Sequence, residues 1–563
     1  MPAEPQPQRS ARAQTAIPIS LGLVAFFVVT GGRSLNPRNI AWLSKGDPAT
    51  YFLGWHFFRT TPWGWPLGVN PRYGAEVGSA IAFIDNVPLF AFPFKLIGRF
   101  LPTPFQYFGI WTLCCFVLQA WFGWLLVGLV TRVPFARACG CVLFVFAPPF
   151  LWRLQGHYQM EGQWLVLAAL YICFGPRRLA RGAAWPLLAL TVALVHSYMT
   201  AMVLGLWLSD WLRRVLFEER TRAELVQPLL VPGLVLLGFW QAGLFTVGNG
   251  IVKHGFGEYK MNLLSLVDPS GWSYLLKDIP ESDGEYEGFN FLGLGGILLA
   301  LAVAPALKRA WPALRAKQEY WPLLGLLSGL TLFAISNRIG FATHTLELPL
   351  SKAWIARANL LRGCGRMFWP VFYALFFLLV RTLFKQYPPR VAALMLFVVV
   401  LVQTVDTSAG WRPIRRDLMI QGETWDSPLR SAFWAQVPSL YQVIRVVPTG
   451  NQTPHYADFA YFAAMHGMST DAVYLARIAE DDVKEANRRG MLAVKRARYE
   501  SGAVYILNPR FEAPATRSVN PDRDLLAWKD GFLVLAPGWK CRPQCSAAAS
   551  ALPEDCSATC AQH

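Results

Sequence analysis

Long apolar runs recur along this chain with short polar segments between them, and run length is the first clue to the fold. A membrane span takes about 20 mostly apolar residues. Runs of that kind lie near 15–31, 105–130, 138–152, 160–174, 185–197, 198–212, 226–248, 290–307, 320–336, 367–384 and 391–406. The pattern predicts a polytopic α-helical membrane protein of about eleven spans. After Asp406 the hydropathy falls, and strand-like runs at 442–447, 503–508 and 531–536 alternate with helix-like stretches at 456–466 and 478–496. That alternation predicts a small α/β domain. The chain therefore divides into a tail over 1–14, a transmembrane domain over 15–406 with a long loop at 32–104, and a soluble domain over 407–563. No internal repeat is visible.

Composition strengthens the membrane class: 54% of the residues are hydrophobic and only 15% charged, more apolar surface than a globular core hides. The N-terminal flank has basic residues before an apolar run, as a signal peptide does. No small-residue cleavage site follows, which predicts an uncleaved first span.

Basic residues in short loops stay cytoplasmic. With the N-terminus inside, the cytoplasmic segments are Arg9/Arg12, Arg132/Arg137, Arg177/Arg178/Arg181, Arg213/Arg214/Arg220/Arg222, Lys308/Arg309/Arg315/Lys317 and Arg381/Lys385/Arg390. This register makes 185–212 two short spans turning at His196 and Ser197, lays 80–100 along the outer surface, and puts the C-terminal domain outside. The net charge of +17 is then largely a topology signal, since no nucleic-acid-binding fold or motif accompanies it. Cysteine usage agrees. Cys541, Cys545, Cys556 and Cys560 close the chain as two Cys-x3-Cys pairs, and their Ala/Ser-rich setting favours two disulfides over a zinc site, chemistry that belongs outside the cytoplasm.

The external loops are long and rich in aromatic and ionisable residues, so candidate chemistry sits there. Asp47 follows the first span in KGDPATYFLGWHFFRTTPWGWPLG, a composition suited to amphipathic helices lying in the interface. It is either a reactive carboxylate at the lipid surface or the cap of a helix with Pro48 at its first position. Asp85 stands inside an apolar run, where an acid is costly and hence a functional candidate, unless it caps a helix before Pro88. His157 and Glu161 in RLQGHYQMEGQW and His196 with Tyr198 in ALVHSYMTAM come from two turns predicted to share the outer side, where each histidine is either a functional group or a satisfied interfacial residue. Arg357, Arg362 and Arg366 lie in ARANLLRGCGRMFWP with Gly363 and Gly365 between them. Glycines let backbone approach a ligand and arginines grip phosphate bidentately, the alternative being that these arginines only anchor the span at the outer interface; Lys253, His254 and Lys260 add to the same field. Asp522-Arg523-Asp524 has the look of an Asp-x-Asp metal motif, but its place after Asn520-Pro521 reads as a turn. No Walker loop, dinucleotide turn, zincin helix or serine elbow is present, so ATP-driven transport and soluble-type hydrolysis lose their usual marks.

An acid soon after span one, interfacial helices in the first external loop, many spans and an external α/β tail together resemble the GT-C glycosyltransferase superfamily. The strings GDPATYFLGWHFFR, EGFNFLGLGG and GRMFWP look like a bacterial branch of it. The resemblance covers about 15–410 as architecture, and the first-loop acid carries it as a motif. It implies a bacterial inner-membrane enzyme that moves a sugar from a polyprenyl-phosphate donor to a glycan, lipid or protein acceptor on the periplasmic side. The first-loop carboxylate, here Asp47, would act as base or help hold a divalent metal ion; this chain lacks the paired Asp-x-Asp or Glu-x-Asp there, which leaves the metal open. The chemistry would be direct displacement with inversion: Asp47 as base, Asp85 as second carboxylate, and Arg362 with Arg366 on the departing phosphate. His157, Glu161, His196 and Arg357 join the lipid-phosphate-binding set. The alternative class is a transporter or flippase that binds the same head groups without reacting. Transporters place ionisable residues near the bilayer midplane and often show repeats, whereas here they gather at one face.

Overall fold

The computed structural model describes residues 8–246, 255–500 and 502–541. The chain forms two compact units that interleave along the sequence. The first comprises Met1–Trp42, Tyr107–Gly238 and Val252–Gln421; the second comprises Leu43–Gln106, Phe239–Ile251 and Gly422–His563.

The first unit is helical, and its helices correct the expected span count. Among the described residues five helices are long and apolar enough to cross a membrane: Phe108–Gly128, Arg222–Gln241, Gly293–Ala313, Cys364–Gln386 and Pro389–Asp406. The bent pair Pro134–Val145 and Pro148–Gln155, which turns by 42°, brings the number to six if it counts as one span. The expectation of about eleven spans is overturned because helix formation is not crossing. Trp164–Phe174 has 11 residues, Ala184–Ala193 has 10 and Trp321–Ile335 has 15. At 1.5 Å per residue these reach about 15–23 Å, short of a hydrocarbon core of about 30 Å. Ser197–Phe217 is long enough at 21 residues, but its second half carries a buried ionic network. Asp210 accepts from Arg213 and, at 3.1 Å, from Arg214, which also bonds Glu224 and, at 2.7 Å, Gln227. Such a network ties helices to one another and is not a lipid-facing surface. The alternating-loop register, which depended on eleven crossings, falls with the count. A short hairpin, β1 Arg338–Phe341 with β2 His344–Glu347, completes this unit.

In the second unit a five-stranded sheet is built from β3 Val443–Val447, β4 Ser469–Thr470, β5 Ala503–Leu507, β6 Leu525–Lys529 and β7 Phe532–Ala536. The strand order is β4-β3-β5-β7-β6. β3 runs parallel to β4 and β5, while β7 runs antiparallel to β5 and β6. The central strand AVYIL is buried at every position, as a strand covered on both faces must be. Tyr505, Leu507, Phe511, Leu533 and Leu535 pack together on one side of it.

Part of the first loop is core and not interfacial as its composition suggested, while Trp63, Trp65, Leu96 and Phe100 remain exposed. The helix Asp47–Thr60 is buried from Ala49 to Phe58, with Phe52 packed on Trp425 and Thr50 hydrogen-bonded to Tyr456 at 2.9 Å. Its aromatics are core residues of the same unit as the sheet, so the division at residue 407 is not where the compact units part.

Candidate functional site

A buried cluster of ionisable groups in the first unit surrounds Glu287, in the short turn Glu285–Gly288 that precedes the helix starting at Gly293. Arg153 donates to Oε2 of Glu287 at 2.8 Å and to its main-chain carbonyl at 3.2 Å. Arg366 donates through Nε to the same Oε2 at 2.8 Å, and its terminal nitrogen bonds Oε1. Nε2 of His157 lies 4.0 Å from Oε1. Two guanidiniums sharing one carboxylate hold Glu287 well below the usual carboxylate range despite its burial.

Close backbone approach makes this geometry available. A side chain at Gly365 would stand 2.5 Å from Cα of Gly288, and one at Gly288 would stand 2.2 Å from the carbonyl of Lys260. Two glycines back to back thus bring the residues beside them, Arg366 and Glu287, within reach of each other. Gly365 therefore admits protein backbone, and the space beside Gly363 is taken by the Arg366 side chain, not by the ligand that their spacing suggested.

Aromatic faces line the cluster. Arg153 lies over Trp152 at 4.6 Å and Trp369 at 5.1 Å, and Arg366 over Tyr198 at 5.1 Å. Trp152 stacks on His157, with ring centres 5.8 Å apart. His196 caps the helix Ser197–Phe217, its Nδ1 accepting from the Tyr198 N–H at 3.3 Å. Burial, then Arg366 and Arg153, lower the His196 pKa to about 3, and burial lowers that of His157 as well. Both imidazoles are neutral at physiological pH, each able to accept or donate one proton.

That neutrality has a measurable consequence. Because the His196 pKa is lowered on folding, the unfolded chain binds the extra proton. Its contribution is fully present above about pH 6.5 and is lost as the pH falls toward 3, at most about 1.4 kcal/mol per pH unit. Asp471 has the opposite sign, its carboxyl pushed up to about 7 by burial. The comparison is therefore made within a variant: the drop in Tm between pH 7 and pH 5 should be smaller in His196→Gln than in the unmodified protein. An equal drop would contradict the buried neutral imidazole.

Of the residues expected to bind lipid phosphate, the structure brings His157, His196 and Arg366 to Glu287. Glu161 is buried apart from them, beside Thr112 and Cys115, with its carboxyl pushed well above the usual range by burial. Arg362 is half-buried over the Tyr259 ring at 6.0 Å, with no carboxylate partner among the described residues. Tyr259 meets Tyr286, which stacks on Trp152, so Arg362 borders the cluster through aromatic rings. Arg357 is exposed over Trp354. Lys260 is committed to Glu285 at 2.6 Å, and Lys253 and His254 lie outside the described residues.

Asp47 and Asp85 belong to the second unit. Asp47 opens its helix ahead of Pro48, and its charge helps raise the pKa of the Tyr456 phenol. Asp85 takes a left-handed backbone conformation with φ 50°, and the helix Pro88–Leu96 is capped by Val87, not by Asp85. Asp522-Arg523-Asp524 is a turn: Asp524 accepts from the N–H groups of Gly538 and Asn520 at 2.7 and 3.2 Å. Cys541 is in a disulfide; Cys545, Cys556 and Cys560 lie outside the described residues. No group of three or more His, Cys, Asp or Glu side chains among the described residues is placed to hold a metal ion. Among the described residues the side chains do not fit the divalent ion that the GT-C resemblance raises.

Neither Glu287 nor Arg153 is among the residues that the sequence singles out. Glu287 stands in EGFNFLGLGG, and an acid abutting a glycine-rich span start was the available signal.

A family model described as Domain of unknown function (DUF6311) matches residues 19–408, and one described as DUF6311 C-terminal domain matches residues 433–537. No curated protein and no solved structure matches the chain.

Proposed function

The chain belongs to the DUF6311 family, and we propose that this member is a membrane glycosyltransferase drawing its sugar from a lipid-phosphate donor. The observation that carries the reading is Arg362, a guanidinium without a carboxylate partner among the described residues, bordering a buried cluster of clamped carboxylate and neutral histidines. A departing lipid phosphate needs a cation not already neutralised, and Arg362 meets that need where Arg366, committed to Glu287, does not. His157 and His196 supply neutral hydrogen-bonding groups in the cluster that Arg362 borders. The GT-C resemblance supplies the reaction class.

Charge along the chain supports a cytoplasmic-membrane orientation for the span candidates. Arg132/Arg137, Arg220/Arg222 and Lys308/Arg309 flank one end of each of the first three. We assign these ends to the cytoplasm. The opposite ends, including the acidic approach Glu281–Glu287 to the helix at Gly293, then face outward. A membrane-impermeant thiol label applied to intact spheroplasts should reach an engineered cysteine at Ser282 and fail at Arg178. Equal labelling would reject the orientation.

The test of the site is donor binding. In detergent-solubilised protein, Arg362→Ala should weaken binding of a polyprenyl-phosphate sugar about tenfold, the scale of one lost charge-assisted bond, with Tm unchanged. Unaltered affinity would remove the phosphate role from Arg362.

A further inference from the structure

A separate cavity of about 330 Å³ opens in the second unit between β3 and the helix Glu480–Arg496. Its volume falls within the roughly 300–1,000 Å³ of small-molecule sites, and its walls carry both signs of charge. At the inner end Arg445 bonds Glu76 at 2.8 Å and Glu500 at 3.0 Å. Beside it the buried Asp471 accepts from the Val446 N–H at 2.7 Å and the Thr449 hydroxyl at 3.3 Å. At the mouth stand Arg496 and Arg498, both exposed and both without a carboxylate partner among the described residues.

The mixture of groups selects the ligand class. Arginines alone would suit any small anion, but acceptor oxygens of Glu76, Asp471, Thr449 and Glu500 on the same walls favour a ligand that also brings its own donors. A ligand with hydroxyls at one end and a negative group at the other satisfies both: the hydroxyls donate to Glu76, Asp471 or Thr449, and the anion meets Arg496 and Arg498. We propose that this cavity binds an acidic saccharide, a sugar bearing a carboxylate or a phosphate. The site stands independently of the glycosyl-transfer reading, because its residues belong to the second unit alone.

Calorimetric titration of the full-length protein in detergent tests it with D-glucuronate, D-glucose 6-phosphate, D-glucose, inorganic phosphate and pentaglutamate. Glucuronate, glucose 6-phosphate or both should bind saturably, with glucose, phosphate and the peptide at least about tenfold weaker. Which acidic sugar binds more tightly identifies the anion. The double variant Arg496→Gln/Arg498→Gln alters only exposed side chains, so it should fold as the parent does and lose affinity by about tenfold or more. The proposal is overturned if neither acidic sugar saturates, if phosphate or pentaglutamate binds as tightly, or if the double variant binds like the parent.

Discussion

Glu287→Ala is expected to destabilise the protein by about 3–5 kcal/mol, because it leaves Arg153 and Arg366 buried side by side without the carboxylate that holds them. Arg153 is 1% exposed and Arg366 9%, so little solvent is at hand to screen the repulsion. The measurement is thermal unfolding of the purified protein at constant pH. Arg430→Ala provides the contrast: its pair with Asp426, at 2.7 Å, lies in solvent, and exposed pairs contribute about 0–1 kcal/mol. Equal effects from the two substitutions would mean that the Glu287 cluster does not act as a buried ionic centre.

The other large effect is catalytic. If Asp47 is the base, Asp47→Asn keeps the shape and most of the hydrogen bonding at the start of the helix Asp47–Thr60 while removing basicity. Sugar transfer should then fall by about 10²-fold or more with donor binding preserved. The Arg362 variant should instead lose donor affinity, so the two substitutions separate a base from a phosphate grip. Transfer by Asp47→Asn at the unmodified rate would pass the assignment to Asp85.

The sheet domain was legible because its strands announce themselves: β3, β5 and β7 each fall within a predicted run, and the helices Tyr456–Met465 and Glu480–Arg496 fall on the predicted stretches. β6 escaped because LLAWK carries a charge and a half-exposed face, and β4 because two residues show no period. The span count failed for a different reason. Apolar periodicity reports that a helix is buried, and a helix buried against other helices reads like one buried in lipid. Length separates Trp164–Phe174 from Phe108–Gly128, and the Asp210–Arg214 network separates Ser197–Phe217, whose first half alone is apolar. Of the site, the histidines and Arg366 were visible as polar groups at helix ends. Their common partner was not, since Glu287 reaches them only through the contact of Gly288 with Gly365, and no local pattern encodes contact across about 80 residues of sequence.

Sugar release from polyprenyl-phosphate donors by the purified protein, run across a panel of sugars with an acceptor extract, tests the central claim most directly. The account predicts that at least one donor is consumed, with Arg362→Ala slower at low donor concentration and partly recovered at high concentration. No consumption of any donor, together with passage of a lipid-linked saccharide across reconstituted vesicles, would contradict it and identify a transporter.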